Sequence, residues 1–162
     1  LTPKSKKGEY KRVIIVTGAA SGIGATVARR LAGPGTAVVL HTRRNEAGLT
    51  AVGTGACAAG ADVVIDFRDL AEESAGESLV EATVASFGRV DQIISNVGFA
   101  DKRRVGDFDL QDYRASNRTI SRAFLGLTST ALPYLTASER GRVVAVSSFV
   151  AHIFGANDVI FS

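Results

Sequence analysis

The chain is poor in the features that most directly announce a function class. It has one cysteine, Cys57, which excludes an internal disulfide and any zinc site built from several thiolates. No apolar run approaches the roughly 18 residues that a bilayer span requires. Lysines stand near the N-terminus without an apolar segment behind them, so no secretory signal is expected. Charge excess is small, a net +3 over 162 residues. Lys4, Lys6, Lys7, Lys11 and Arg12 against Glu9 account for it. The basic balance therefore belongs to a short polar segment, residues 1–11, expected as a flexible tail. The rest offers no basic face to nucleic acid. The expectation is a cytoplasmic protein whose partners include neither nucleic acid nor membrane.

Glycine is what the chain has in excess, 17 residues of 162, against a usual share of about 7%. Around the glycines, short β-branched runs alternate with longer stretches of helical spacing. Val13-Ile14-Ile15-Val16 lacks polar alternation, as a strand buried on both faces should. Gly22 to Ala32 reads as a helix, with Ile23, Val27 and Leu31 on one side and Gly33-Pro34-Gly35 as its stop. Further strands are predicted at 37–40, 63–65, 90–94 and 142–146, and helices over 45–59, 70–87 and 109–135, the last disturbed near Pro133. Such alternation predicts an α/β fold, a doubly wound parallel sheet (a Rossmann fold) over residues 12–162.

The first strand runs into Thr17-Gly18-Ala19-Ala20-Ser21-Gly22-Ile23-Gly24 and then a helix. A strand-to-helix turn of this kind presents free backbone N–H groups and the positive end of a helix dipole, where a pyrophosphate binds. Gly18 permits the turn, Gly22 lets phosphate approach the backbone, and Gly24 lets the helix pack closely. Ser21 and Ile23 complete the candidate loop. An acid at the end of the second strand would bind ribose hydroxyls and repel a 2′-phosphate. The sequence there is Leu40-His41-Thr42-Arg43-Arg44, with no acid. Thr42 and Arg43 are thus candidates for a 2′-phosphate, Arg43 through a charge-assisted pair. NADP is the favoured cofactor and NAD the less favoured. The alternative is a solvated arginine pair.

Thr17 to Gly24 resembles the TGxxxGxG signature of the short-chain dehydrogenases/reductases. Ser95-Asn96-Val97-Gly98 resembles that family's NNAG motif, with Ser and Val as departures. Gly141 to Ser148 resembles the strand that delivers its catalytic serine, and Asn117 stands where the family has its catalytic asparagine. The four motifs, in family order, are spread over residues 13–148. The resemblance implies that Asn96 and Gly98 lie at the cofactor, that Asp66 contacts the adenine amino group with Phe67 beside it, and that full-length members form homodimers or homotetramers. It also implies hydride exchange between nicotinamide and a ketone or secondary alcohol, as in 3-oxoacyl carrier-protein reductases.

In that family Ser148 would orient the substrate oxygen and Asn117 would hold a relay water. A tyrosine would give the proton, assisted by a lysine. The tyrosine position falls at or beside Phe161, and no tyrosine follows Tyr134. Three explanations stand: a longer protein of which this is part, a truncated product, or a relative that binds nucleotide without turnover. The fifth strand would otherwise be an apolar edge, so the fold is expected to lack its C-terminal strands here. Simpler roles are expected elsewhere. His41 and His152 read as surface or strand-end histidines, Cys57 as a small packed residue, and no metal site is expected. Arg114, Arg118 and Arg122 read as a solvated helix face or as salt-bridge partners of carboxylates such as Asp109 and Asp112, rather than as a substrate clamp. Asp101 to Arg104 reads as a solvated loop.

Overall fold

Val13, Ile14, Ile15 and Val16 have no side chain for water to claim, and all four are fully buried. They form β1 (Arg12–Val16), the middle strand of the sheet. The computed structural model describes residues 10–99, 107 and 109–148. Along the chain, β1 is followed by α1 (Gly22–Leu31), β2 (Thr36–Thr42), α2 (Glu46–Ala58), β3 (Asp62–Phe67), α3 (Ala75–Phe87) and β4 (Gln92–Ser95). Then come α4 (Leu110–Asn117), a π-helical turn (Arg118–Arg122), α5 (Ala123–Ala137) and β5 (Arg142–Ala145).

The strand order is β3-β2-β1-β4-β5, with all pairs parallel. This is the doubly wound arrangement expected from the alternation of elements. The two faces bury different sets of side chains, as a period of two requires. Ile14, Val16, Val38 and Leu40 pack with Leu49 and Val52 of α2 on one face. Val13, Ile15, Val39 and Ile93 pack with Leu79, Phe87 and Leu127 of α3 and α5 on the other. The order reverses between β1 and β4, and the crevice at that switch point is where such sheets bind ligands.

Beyond shifts of a residue or two at strand ends, three features differ from expectation. Tyr10 belongs to the fold rather than to a tail. It is buried, its ring meets Phe87 edge-on with centroids 5.1 Å apart, and its hydroxyl donates to Asp62 Oδ2 at 2.8 Å. Residues 70–74 are turns rather than the start of a helix. Asp69 Oδ1 accepts from the Ala71 amide at 3.0 Å, and Ser74 takes a left-handed φ of 60°, so α3 begins only at Ala75. The helix expected over 109–135 is real but not uniform, because the π turn interrupts it. It continues through Pro133 to Ala137.

Candidate functional site

The turn after β1 is shaped by two glycines. Gly18 and Gly22 have φ of +64° and +53°, which side chains disfavour. A Cβ added at Gly22 would meet nothing within 4 Å, so its α-carbon borders open space. Gly24 is the opposite case: a Cβ there would lie 2.4 Å from Gly18 O and 2.6 Å from Asn96 Nδ2. That contact, of helix against its own loop, is what only glycine permits. Ser21 is the N-cap of α1 in an extended conformation and makes no cap hydrogen bond with its side chain. No acid stands in the first turn of α1 to neutralise its positive end.

The loop after β4 clamps this turn. Asn96 Nδ2 donates to Thr17 O and Gly18 O, both at 3.2 Å. The fully buried Thr17 replies: its Oγ1 accepts from the amides of Asn96 at 2.9 Å and Val97 at 3.3 Å. Ala19 N donates to His41 O at 2.8 Å, which ties the loop to β2 as well. The amides of the turn are thereby fixed before any ligand arrives, the arrangement that makes binding inexpensive in entropy.

A cavity of about 770 Å³ opens over these elements. It is lined by Gly18, Ser21, Gly22 and Ile23 from the glycine turn, by Thr42 and Arg43 at the end of β2, and by Asn96 and Gly98 after β4. Eight of the residues singled out for a cofactor are therefore brought to one space. Gly24 lies behind it as packing. Its dimensions lie within the usual range for cofactor pockets.

Two candidates are not brought there. Asp66 and Phe67 are absent from the lining; Asp69, Leu70 and Ala71 take that side. The Asp66 carboxylate is gripped in a fork by Arg68, with Nε to Oδ1 at 2.6 Å and Nη2 to Oδ2 at 2.5 Å. Residues two apart on a strand end share a side, so the pair closes on itself. The expected adenine contact of Asp66 thus faces a competing partner, and Phe67 stands half-exposed outside the cavity.

The candidate catalytic residues are apart from the cavity too. Asn117 ends α4 on an exposed position just before the π turn, and Ser148 lies three residues beyond β5. Neither lines the cavity, although Ala115 and Thr119 of the same helical stretch do. Phe161, His152 and residues 101–104 lie outside the described residues. Arg122 pairs with Glu73 at 3.9 Å, a partner supplied by the turn before α3 rather than by α4 itself.

His41 is the residue that sequence reasoning undervalued. It stands at the strand end as expected, but buried, and it lines the cavity. Its Nε2 lies 3.0 Å from Arg68 O, which fixes that nitrogen as the donor, and Nδ1 has no hydrogen-bond partner among the described residues. Burial lowers its pKa below 6.5, against the raising effect of the Arg68 carbonyl and nearby Asp66. A polar residue closing an otherwise apolar strand was the available signal. For Ala115 and Thr119 it was their i, i+4 spacing. Among the described residues no three His, Cys, Asp or Glu side chains are grouped to hold a metal ion.

Similarity to known proteins agrees with this geometry. A family profile described as short chain dehydrogenase matches residues 12–162. L-Rhamnose 1-dehydrogenase (NAD(P)(+)) of Azotobacter vinelandii is 31% identical over 149 residues, 90% of this chain and 58% of that protein. A crystal structure of a short chain dehydrogenase from Burkholderia cenocepacia in complex with NADP superposes with a TM-score of 0.84 at 27% identity, over 93% of this chain and 60% of that one. A 3-oxoacyl (acyl-carrier-protein) reductase from Agrobacterium tumefaciens with NADP bound gives 0.80 at 27%, over 93% and 58%. The chain thus spans under two-thirds of the length of each. Its parallel sheet, its clamped glycine turn and a profile match running from β1 onward place the chain in the short-chain dehydrogenase family.

Proposed function

We propose that this chain is the nucleotide-binding part of an NADP(H)-dependent oxidoreductase that moves hydride between nicotinamide and a ketone or secondary alcohol. One observation carries the reading: the rigid turn from Thr17 to Gly24, with Gly22 open to the cavity and α1 aimed at it, is built to receive a diphosphate. Arg43, at the cavity and unaccompanied by an acid at the end of β2, favours a 2′-phosphate. NADP in the two related crystal structures supports the same choice. The relative whose name carries NAD(P)(+) leaves NAD as the second cofactor.

When bound, the reduced nicotinamide supplies two electrons and hydrogen as hydride to a carbonyl carbon, while the oxygen takes a proton. The glycine turn fixes the distance for that transfer. Ser148 orients the substrate oxygen and Asn117 holds a water of the proton relay. The substrate is a small carbonyl compound. Association as a homodimer or homotetramer fits α5, where Leu125 and Leu132 remain 62% and 56% exposed. Among the described residues no helix is long and apolar enough to cross a membrane. Cytoplasmic placement belongs to the same reading.

Phe161 favours a second reading, nucleotide binding without turnover. It stands at or beside the position that the resemblance gives the family's tyrosine, and it has no proton to give. Titration of NADPH and NADH, followed by nicotinamide fluorescence, tests the shared part of both readings. Arg43→Ala should weaken NADPH about tenfold, the worth of a charge-assisted contact, and NADH far less. Equal losses would reject the cofactor assignment. Turnover of a ketone panel, with and without Phe161→Tyr in the full-length protein, separates the readings. Activity gained only with tyrosine identifies Phe161 as the block.

A further inference from the structure

Arg43 does not point freely into solvent. Its Nη1 lies 3.4 Å from Asp69 Oδ2, and both residues line the cavity. The contact joins the segment after β2 to the segment after β3, which run side by side because Thr42 pairs with Phe67. Asp69 is held in place by its own turn, since its other oxygen accepts from the Ala71 amide at 3.0 Å. Arg43 is the more exposed partner, with 52% of its side chain exposed against 31% for Asp69.

We propose that Asp69 tempers the site's preference for a 2′-phosphorylated dinucleotide by holding Arg43. The inference rests on the nucleotide reading above. To meet a 2′-phosphate, the guanidinium must leave the carboxylate or share itself between two anions. A dinucleotide without that phosphate makes no such demand. Exposed ion pairs are weak, worth a factor of about five at most in an equilibrium. Asp69 therefore tunes the choice and does not veto it, and the chain accepts both NADPH and NADH.

The test is a double-mutant cycle on the full chain, with NADPH and NADH dissociation constants read by nicotinamide fluorescence. Asp69→Asn removes the charge while its amide oxygen still accepts from Ala71. The expected result is a three- to fivefold rise, roughly, in the NADH-to-NADPH ratio of dissociation constants at low salt. That gain should shrink at high salt and fall below about twofold in an Arg43→Ala background. A ratio that stays level or falls overturns the proposal. So does an equal gain without Arg43, because the carboxylate would then act on the phosphate directly. Should Asp69→Asn fail to fold, Asp69→Ser keeps a hydroxyl acceptor for the turn and runs the same cycle. A wild-type chain that binds neither nucleotide overturns the nucleotide reading itself, a different outcome from a flat ratio.

Discussion

Among the described residues, the half of the sheet around β1 and β2 is more enclosed than the half that ends in β5. β1 and β2 are buried along almost their whole length, and the glycine turn between β1 and α1 is braced from β2 and β4. β5 is exposed along its four residues, with Val143 at 40% and Val144 at 48%. A phosphate site can be made from the backbone of one turn, so it is complete wherever that turn is well packed. A catalytic centre needs side chains from distant elements held to within a fraction of an ångström. Asn117 and Ser148, which the family resemblance puts in that role, are not among the residues lining the cavity that the glycine turn shares.

The contrast can be broken most severely at Gly24. Gly24→Ala would place a methyl 2.4 Å from the Gly18 carbonyl oxygen and 2.6 Å from Asn96 Nδ2, and the Gly18 backbone leaves little room to yield. We expect NADPH binding to vanish from fluorescence titration and stability to fall by about 1–3 kcal/mol in urea melts. Retained affinity would show that the turn is softer than its bracing implies.

His41 sharpens the comparison through pH. Its folded-state pKa lies below the ordinary 6.5 because burial disfavours the imidazolium. The unfolded chain therefore takes up the proton first as pH falls. Its contribution to stability is full above about pH 6.5 and is lost below it, down to the folded pKa, at no more than about 1.4 kcal/mol per pH unit. Denaturant melts at pH 7.5, 6.5 and 5.5 should show a shallower acid loss for His41→Gln than for wild type. Identical slopes would mean that His41 takes up its proton alike in the folded and unfolded chain.

The smallest effect is expected on the other half. Val144→Thr, on exposed β5, should change stability by under about 0.5 kcal/mol. A loss several times larger, measured in the same melts, would show that β5 is covered in solution and that the two halves are equally closed.

Legibility from sequence divides along the same line. The strands were readable because Val13–Val16 and Val63–Ile65 are β-branched runs without polar alternation, and the sheet follows from their alternation with helices. The glycine turn was readable because its work is done by backbone, where the absence of a side chain is itself the signal. The partner of Asp66 was not legible: its grip by Arg68 depends on the local path of the chain at a strand end. His41 was undervalued because its burial depends on the neighbouring segment of β3, far away in sequence. Leu70 was assigned to a helix, while the turn that places it and Asp69 at the cavity hangs on one aspartate oxygen and a left-handed serine.

The widened turn at Arg118–Arg122 has a consequence for how this protein could vary. Ala115 just upstream of it and Thr119 within it line the cavity; downstream, Ala123 and Leu127 are packed into the core. Excising one residue from the turn would restore regular winding but rotate one end against the other by about 100°. Either the cavity would lose its wall or α5 would lose its seat. The surplus residue thus works as an angular spacer, and length changes in this stretch should be far less tolerated than substitutions.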